Sequence, residues 1–256
     1  MIRTILDRQL HDITVQVIAL GNVVYQTLDQ ALLVVKENDQ ALCERIIASD
    51  EHSDALRAEI VQKTFRSLTL HQPLAGNDLR FLCSVPFIAG SLERIGDNAA
   101  GIAKLRLRMA ALEGKERNNA GRETPTDGDS KSSVSHTVTE TTIIEEILSL
   151  GKEARRALQA TTNAFLIKDT QAARSIWQED DVVDVCYHLV RHEIMSLLLG
   201  MHAIPALEQD ALVLQRVTYW LWIAHNLERI GDHCTNICER LVFIMERDAT
   251  ITPQQE

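Results

Sequence analysis

Four pairs of acidic residues share one spacing along this chain: Asp50 with Asp54, Glu93 with Asp97, Asp180 with Asp184, and Glu228 with Asp232. On a helix, residues four apart stand on one face, about one turn from each other along the axis. Two like charges so placed repel, at roughly 0.2–0.5 kcal/mol for an exposed pair. The cost grows if the pair is buried. Asp180 falls four residues after Ile176 and three before Val183, within the apolar register of its helix, so it needs a counter-charge. Arginine is one source: Arg94 and Arg229 adjoin the carboxylates, and Arg57 and Arg80 are within reach from neighbouring turns. A metal cation held between the second and third helices of a bundle is another, and four carboxylates would give it a hard oxygen environment. The spacing alone leaves both open, beside the plain reading of a solvated acidic face.

Repetition separates these pairs from ordinary surface charge. Leu92-Glu93-Arg94-Ile95-Gly96-Asp97 recurs unchanged as Leu227-Glu228-Arg229-Ile230-Gly231-Asp232. Asp50-Glu51-His52-Ser53-Asp54 is echoed by Asp180-Asp181-Val182-Val183-Asp184. Matching motifs at matching places signal internal duplication. Gly96 and Gly231 sit just before the second carboxylate, where a missing side chain lets a facing helix or an ion come close. A glycine inside a helix costs about 1 kcal/mol relative to alanine, so its double appearance asks for a reason.

The elements that must position these groups read as long helices. Leu6, Leu10, Ile13, Val17, Leu20, Val24, Leu28 and Val35 step by three and four, as an amphipathic helix requires. Asn38-Asp39 supplies a break and a cap for a second helix running to about Leu70. His71-Gln72-Pro73 interrupts it, and a third helix follows in which Pro86 and Gly90 predict a kink. The second half repeats this plan, with a turn at Lys168-Asp169-Thr170 and another between Gly200 and Pro205. Between the halves, residues 113–136 are rich in Gly, Ser, Thr, Asn and charge, and read as a flexible polar linker. The expected organisation is all-α: two tandem three-helix bundles of six long antiparallel helices, over 1–112 and 137–248, with a tail at 249–256.

Composition narrows the class. The chain has 256 residues and a formal charge of −10, which argues against a nucleic-acid duplex or an anionic membrane as the main partner. Aromatic residues are 4%, too few for a sheet protein. The five cysteines include no CxxC pair and mostly lie in apolar stretches, as buried thiols of a reducing compartment do. No signal core or membrane-length apolar run stands out, so a cytoplasmic location is expected. Glu-x-x-His, HExxH and the GxxxxGK[ST] phosphate loop are all absent, which leaves little support for a helical-bundle metalloenzyme. His11, the Lys104-Arg106-Arg108 run and Trp177, Trp220 and Trp222 read as solvated faces and packing residues.

With LERIGD repeated on a six-helix plan, the chain resembles the PhoU family. His71-Gln72-Pro73-Leu74-Ala75 and Asp78-Leu79-Arg80 carry the likeness further. The resemblance implies two three-helix bundles whose acidic motifs bind metal ions, with iron, zinc, magnesium or manganese as candidates. Carried over by position, Glu93, Asp97, Glu228 and Asp232 are ligands on the third helices, and Asp50, Asp54, Asp180 and Asp184 on the second. Asn236 fits a further ligand place that Gly101 fills in the first half, and His233, which answers Asn98, could add a nitrogen. The implied role is non-enzymatic: a cytoplasmic, self-associating regulator that represses the phosphate-starvation response when phosphate is plentiful. Its implied partners are the ATPase subunit of a phosphate ABC transporter and a phosphate-sensor histidine kinase. A metal-binding scaffold without any signalling role is the alternative.

Overall fold

A computed structural model of the protein describes residues 2–71, 73–74, 76–120, 132–178, 181–202 and 211–246. Among these residues there are seven helices: α1 (Ile2–Lys36), α2 (Gln40–Leu70), α3 (Gly76–Ala120), α4 (Ser132–Ile167), α5 (Thr170–Gln178), α6 (Asp181–His202) and α7 (Ala211–Met245). The architecture is all-α, with α1, α2 and α3 forming one bundle and α4, α5 with α6, and α7 forming the other. The second rod of the second half is thus two segments rather than one, and the residues between them, Glu179 and Asp180, lie outside the described set. Helices α3 and α4 reach Ala120 and start at Ser132, well inside the stretch 113–136 expected as linker. The tail 249–256 lies outside the described residues.

Helix boundaries follow from local hydrogen bonding. Asp39 has extended backbone angles (φ −91°, ψ 99°), and its carboxylate accepts from the Leu42 amide at 3.0 Å, capping α2. At the end of α4 the Asp169 amide donates to Ala164 O at 3.0 Å and the Lys168 amide to Phe165 O at 3.4 Å. This double closure requires a left-handed residue, and Lys168 takes it with φ 55°. Asp169 then accepts from the Ala172 amide at 2.9 Å and starts α5. Helix α3 continues through Pro86 and Gly90 without a break.

The two bundles share one continuous apolar core, because the first and third helices of each face their counterparts. The α3–α7 contact is the most extensive. Leu20, Val24 and Leu28 of α1, Ile95 and Ile102 of α3, Ile147 and Leu158 of α4, and Leu227 and Ile230 of α7 are all fully buried in it. Helix α1, over Thr4–Lys36, is long and apolar enough to cross a membrane, contrary to the expectation that no such run exists. Its apolar face is instead spent on this core.

Two arginines of α3 tie the ends of other helices. The last carbonyls of a helix have no partner within it. Arg106 donates from Nε to Val34 O at 3.0 Å, at the end of α1, and its guanidinium lies 5.1 Å from the Trp220 ring centroid. Arg80 donates to Phe243 O at 3.4 Å and to Glu246 O, at the end of α7. These positions correct the sequence reading: Arg106 is buried rather than solvated, and Arg80 serves a helix end rather than a carboxylate pair. Trp220 packs as expected, whereas Trp222 is 47% exposed.

Replacing Arg106 with Ala is expected to cost about 2–4 kcal/mol, from an orphaned carbonyl, a lost ring contact and a cavity. Urea denaturation would measure it, and a change below 1 kcal/mol on the same scale would contradict the capping role.

Candidate functional site

The motif glycines explain how the acidic pairs meet. A Cβ built at Gly96 would lie 3.7 Å from Ser53 Oγ, and one at Gly231 would lie 2.9 Å from Val183 Cγ1. Ser53 immediately precedes Asp54, and Val183 immediately precedes Asp184. In both halves, therefore, the same turn of the third helix packs on the same turn of the second. In the first bundle that contact brings Asp50 and Asp54 of α2 within electrostatic reach of Asp97. The fit differs between the halves: ordinary contact at Gly96, and too tight for any side chain at Gly231.

In the first bundle the four carboxylates act on one another. Asp97 is pushed up to about 6 by partial burial first, and then by the charges of Asp50, Glu93 and Asp54 and a hydrogen bond with Asp50. Among the described residues, two cations pair with this cluster. Lys104 Nζ stands 3.5 Å from Asp50 Oδ2, and Arg57 Nε stands 4.0 Å from Glu93 Oε2. Neither Asp54 nor Asp97 forms an ion pair among the described residues. Four negative groups thus share two loose partners, which leaves the cluster short of positive charge. Of the arginines expected to serve here, Arg57 does so. Lys104 was expected on a solvated face, and only its position across the α2–α3 contact brings it to Asp50.

In the second bundle, Asp184 and Glu228 are half-buried, whereas Asp232 and Asn236 are exposed. Asp180 lies outside the described residues. His225 Nδ1 comes within 2.9 Å of Glu228 Oε2, an ion pair when the imidazole is protonated. That oxygen is buried and has no well-aligned hydrogen bond, as is also true of His233 Nε2. Burial first, and then the charges of Arg229 and Arg94, lower the pKa of His233. His225 was not anticipated, although its place three residues before Glu228 is a readable signal.

Helices α3 and α7 cross with a definite register. Phe87 lies under Arg240, Gly101 against Asn226, and Arg106 against Trp220. This antiparallel order brings Gly96 level with Gly231, so the two acidic motifs cross near their centres. The ligands expected in the first half are all carboxylates, and His225 and His233 adjoin the expected ligands of the second. Among the described residues, no group of three or more His, Cys, Asp or Glu is already arranged to hold a metal ion. The observation that bears on a cation is electrostatic: beyond desolvation, the charges of Asp50, Glu93 and Asp54 hold the Asp97 carboxyl up, and a positive ion would relieve that part.

Comparison with known proteins agrees with this duplicated plan. The PhoU domain family matches residues 17–105 and again residues 147–241. The chain is 31% identical over 239 residues to the phosphate-specific transport system accessory protein PhoU homolog of Streptococcus pneumoniae, covering 93% of this chain and 94% of that protein. It is 29% identical over 235 residues to the homolog from Caulobacter vibrioides, covering 92% and 87%. The crystal structure of the phosphate transport system regulatory protein PhoU from Streptococcus pneumoniae superposes with a TM-score of 0.71 at 28% identity, covering 93% of this chain and 96% of that one. PhoU from Pseudomonas aeruginosa gives 0.73 at 24% identity, covering 93% and 97%, and speaks for the fold alone. With the same domain matched once in each half, at the places where the acidic motifs recur, this chain belongs to the PhoU domain family.

Proposed function

We propose that this chain is a non-enzymatic, cytoplasmic regulator of phosphate uptake whose acidic clusters bind metal ions. The observation that carries the proposal is the gathering of Asp50, Asp54, Glu93 and Asp97 on facing turns of α2 and α3 with too little positive charge. The relatives named as phosphate-specific transport system accessory proteins support the regulatory part. In the first bundle these four residues would hold the ion. In the second, Asp180, Asp184, Glu228 and Asp232 would do so, with Asn236 at the edge. Iron, zinc, magnesium and manganese are the candidate metals. The bound ion would supply the positive charge that lets the carboxylates stay ionised together.

The residues then work as a charge-controlled clasp. Ionised and unneutralised, they push α2 from α3; neutralised, they draw the helices together. The state of that clasp would set the shape offered to two partners, the ATPase subunit of the phosphate transporter and a phosphate-sensor histidine kinase. Repression of the starvation response under ample phosphate follows from keeping both engaged, with self-association of the chain as a further element. A scaffold without metal is the second reading, favoured by the Lys104–Asp50 and Arg57–Glu93 pairs and by the lack of a closed donor group.

Elemental analysis of protein purified without chelator separates the two. Bound metal that drops in a Glu93→Ala, Glu228→Ala variant is expected; a metal-free wild type would favour the scaffold. Loss of the gene is expected to switch on starvation reporters at high phosphate, and unchanged repression would count against the regulatory role.

Asp97 yields a pH prediction for chelator-treated protein. Its native pKa, about 6, lies above its ordinary value of 3.8, so between these values the native state holds more protons than the unfolded state. Stability should therefore fall as pH rises through that window. Asp97→Asn should flatten this part of the profile and raise the melting temperature at pH 7.5. Thermal melts at pH 5 and 7.5 read both effects, and a lower Tm for the variant at pH 7.5 would refute the repulsion argument.

A further inference from the structure

The seam between α3 and α7 also holds a cleft of about 270 Å³, next to the carboxylates proposed above as ligands but not lined by them. Lys104 and Arg108 line it from α3, while Trp222, His225 and Asn226 line it from α7. No carboxylate lines it, in a chain whose formal charge is −10. Lys104 and Arg108 stand one helical turn apart, so their heads serve the same opening. Lys104 shares its charge with Asp50 at 3.5 Å, and His225 leans on Glu228 at 2.9 Å. Arg108 is exposed and has no ion pair or hydrogen bond among the described residues.

Two further features give the cleft a planar side. Trp222 is 47% exposed, and its recorded ring contact is a tilted one with Tyr219, at 5.8 Å between centroids. Exposing an indole forfeits burial that most tryptophans obtain. One turn further along α7, Asn226 is held against α3 because Gly101 lacks a side chain, and a Cβ there would meet the Asn226 amide at 3.4 Å. Its carboxamide forms no hydrogen bond among the described residues. An amide that both donates and accepts, beside an open aromatic face and two cations, fits a ring bearing a phosphoryl group. The cleft is too small for a helix of another protein.

We propose that this cleft binds a phosphoryl anion, with Lys104 and Arg108 taking its oxygens and Trp222 and Asn226 receiving an attached base. A nucleotide and free inorganic phosphate carry the same anionic chemistry, and the second would use the cationic half alone. The site uses none of the residues named as metal ligands, although Lys104 and His225 each touch one of them.

The test is titration of the full chain in buffer free of divalent ions with ATP, adenosine and inorganic phosphate, followed by calorimetry and tryptophan fluorescence. ATP is expected to bind and quench, and Arg108→Gln to weaken it about tenfold, as loss of one charge-assisted contact does. Trp222→Phe should abolish most of the quench while binding persists. Lys63→Gln, remote from the cleft, should change nothing. Phosphate binding as tightly as ATP supports the site with the free anion as its ligand. No binding of either at millimolar concentration, adenosine binding as well as ATP, or an unaffected Arg108→Gln would each overturn the proposal.

Discussion

The packing of α3 against α7 is the constraint on which the rest depends. It fuses two bundles into one core, and its antiparallel register sets the repeated motifs level with each other. Within the first bundle, the packing of α2 on α3 then gathers carboxylates that would be unremarkable on isolated helices. The cost shows at Asp97, whose carboxyl resists ionisation beside three others. Hydrophobic burial is large and non-directional, so it can hold like charges near each other at a modest local penalty. In this fold the apolar core dictates where the acids sit.

Duplication gave the halves one plan but unequal details. Where Ser53 meets Gly96 the contact is loose and polar, and where Val183 meets Gly231 it is tight and apolar. Asn98 is buried and bonds back to Arg94 O at 2.7 Å, while its counterpart His233 is a neutral-leaning imidazole between two arginines. Gly90 has no side chain, whereas His225 at the matching position reaches Glu228. The acids of the first half are thus partnered by Lys104 and Arg57, whereas an imidazole reaches Glu228 in the second. Hard and borderline cations discriminate between such surroundings.

Much of this was legible in the sequence, because it rests on periodicity and local bonding. The caps at Asp39 and Asp169, the long helical rods and the repeated motif all follow from neighbours in the chain. Where neighbours in space decide, the reading failed. Arg106 belongs to a charged run, yet Trp220 and the end of α1 draw it inside. Arg80 sits near the motif in sequence and serves the far end of α7. Lys104 gave no sign of reaching Asp50, since the link needs the α2–α3 crossing. Composition expected a linker over the whole of 113–136, whereas α3 reaches Ala120 and α4 starts at Ser132.

The arginine caps have a mechanical corollary. Arg106 grips the final turn of α1, and Arg80 grips that of α7, both from the same rod. A small slide of α3 along its own axis would loosen one grip or the other, so fraying at two distant termini becomes linked through a single strut. The third helix is accordingly the molecule's keel, and strain applied at the end of α1 or of α7 is delivered to the rod that carries Glu93 and Asp97.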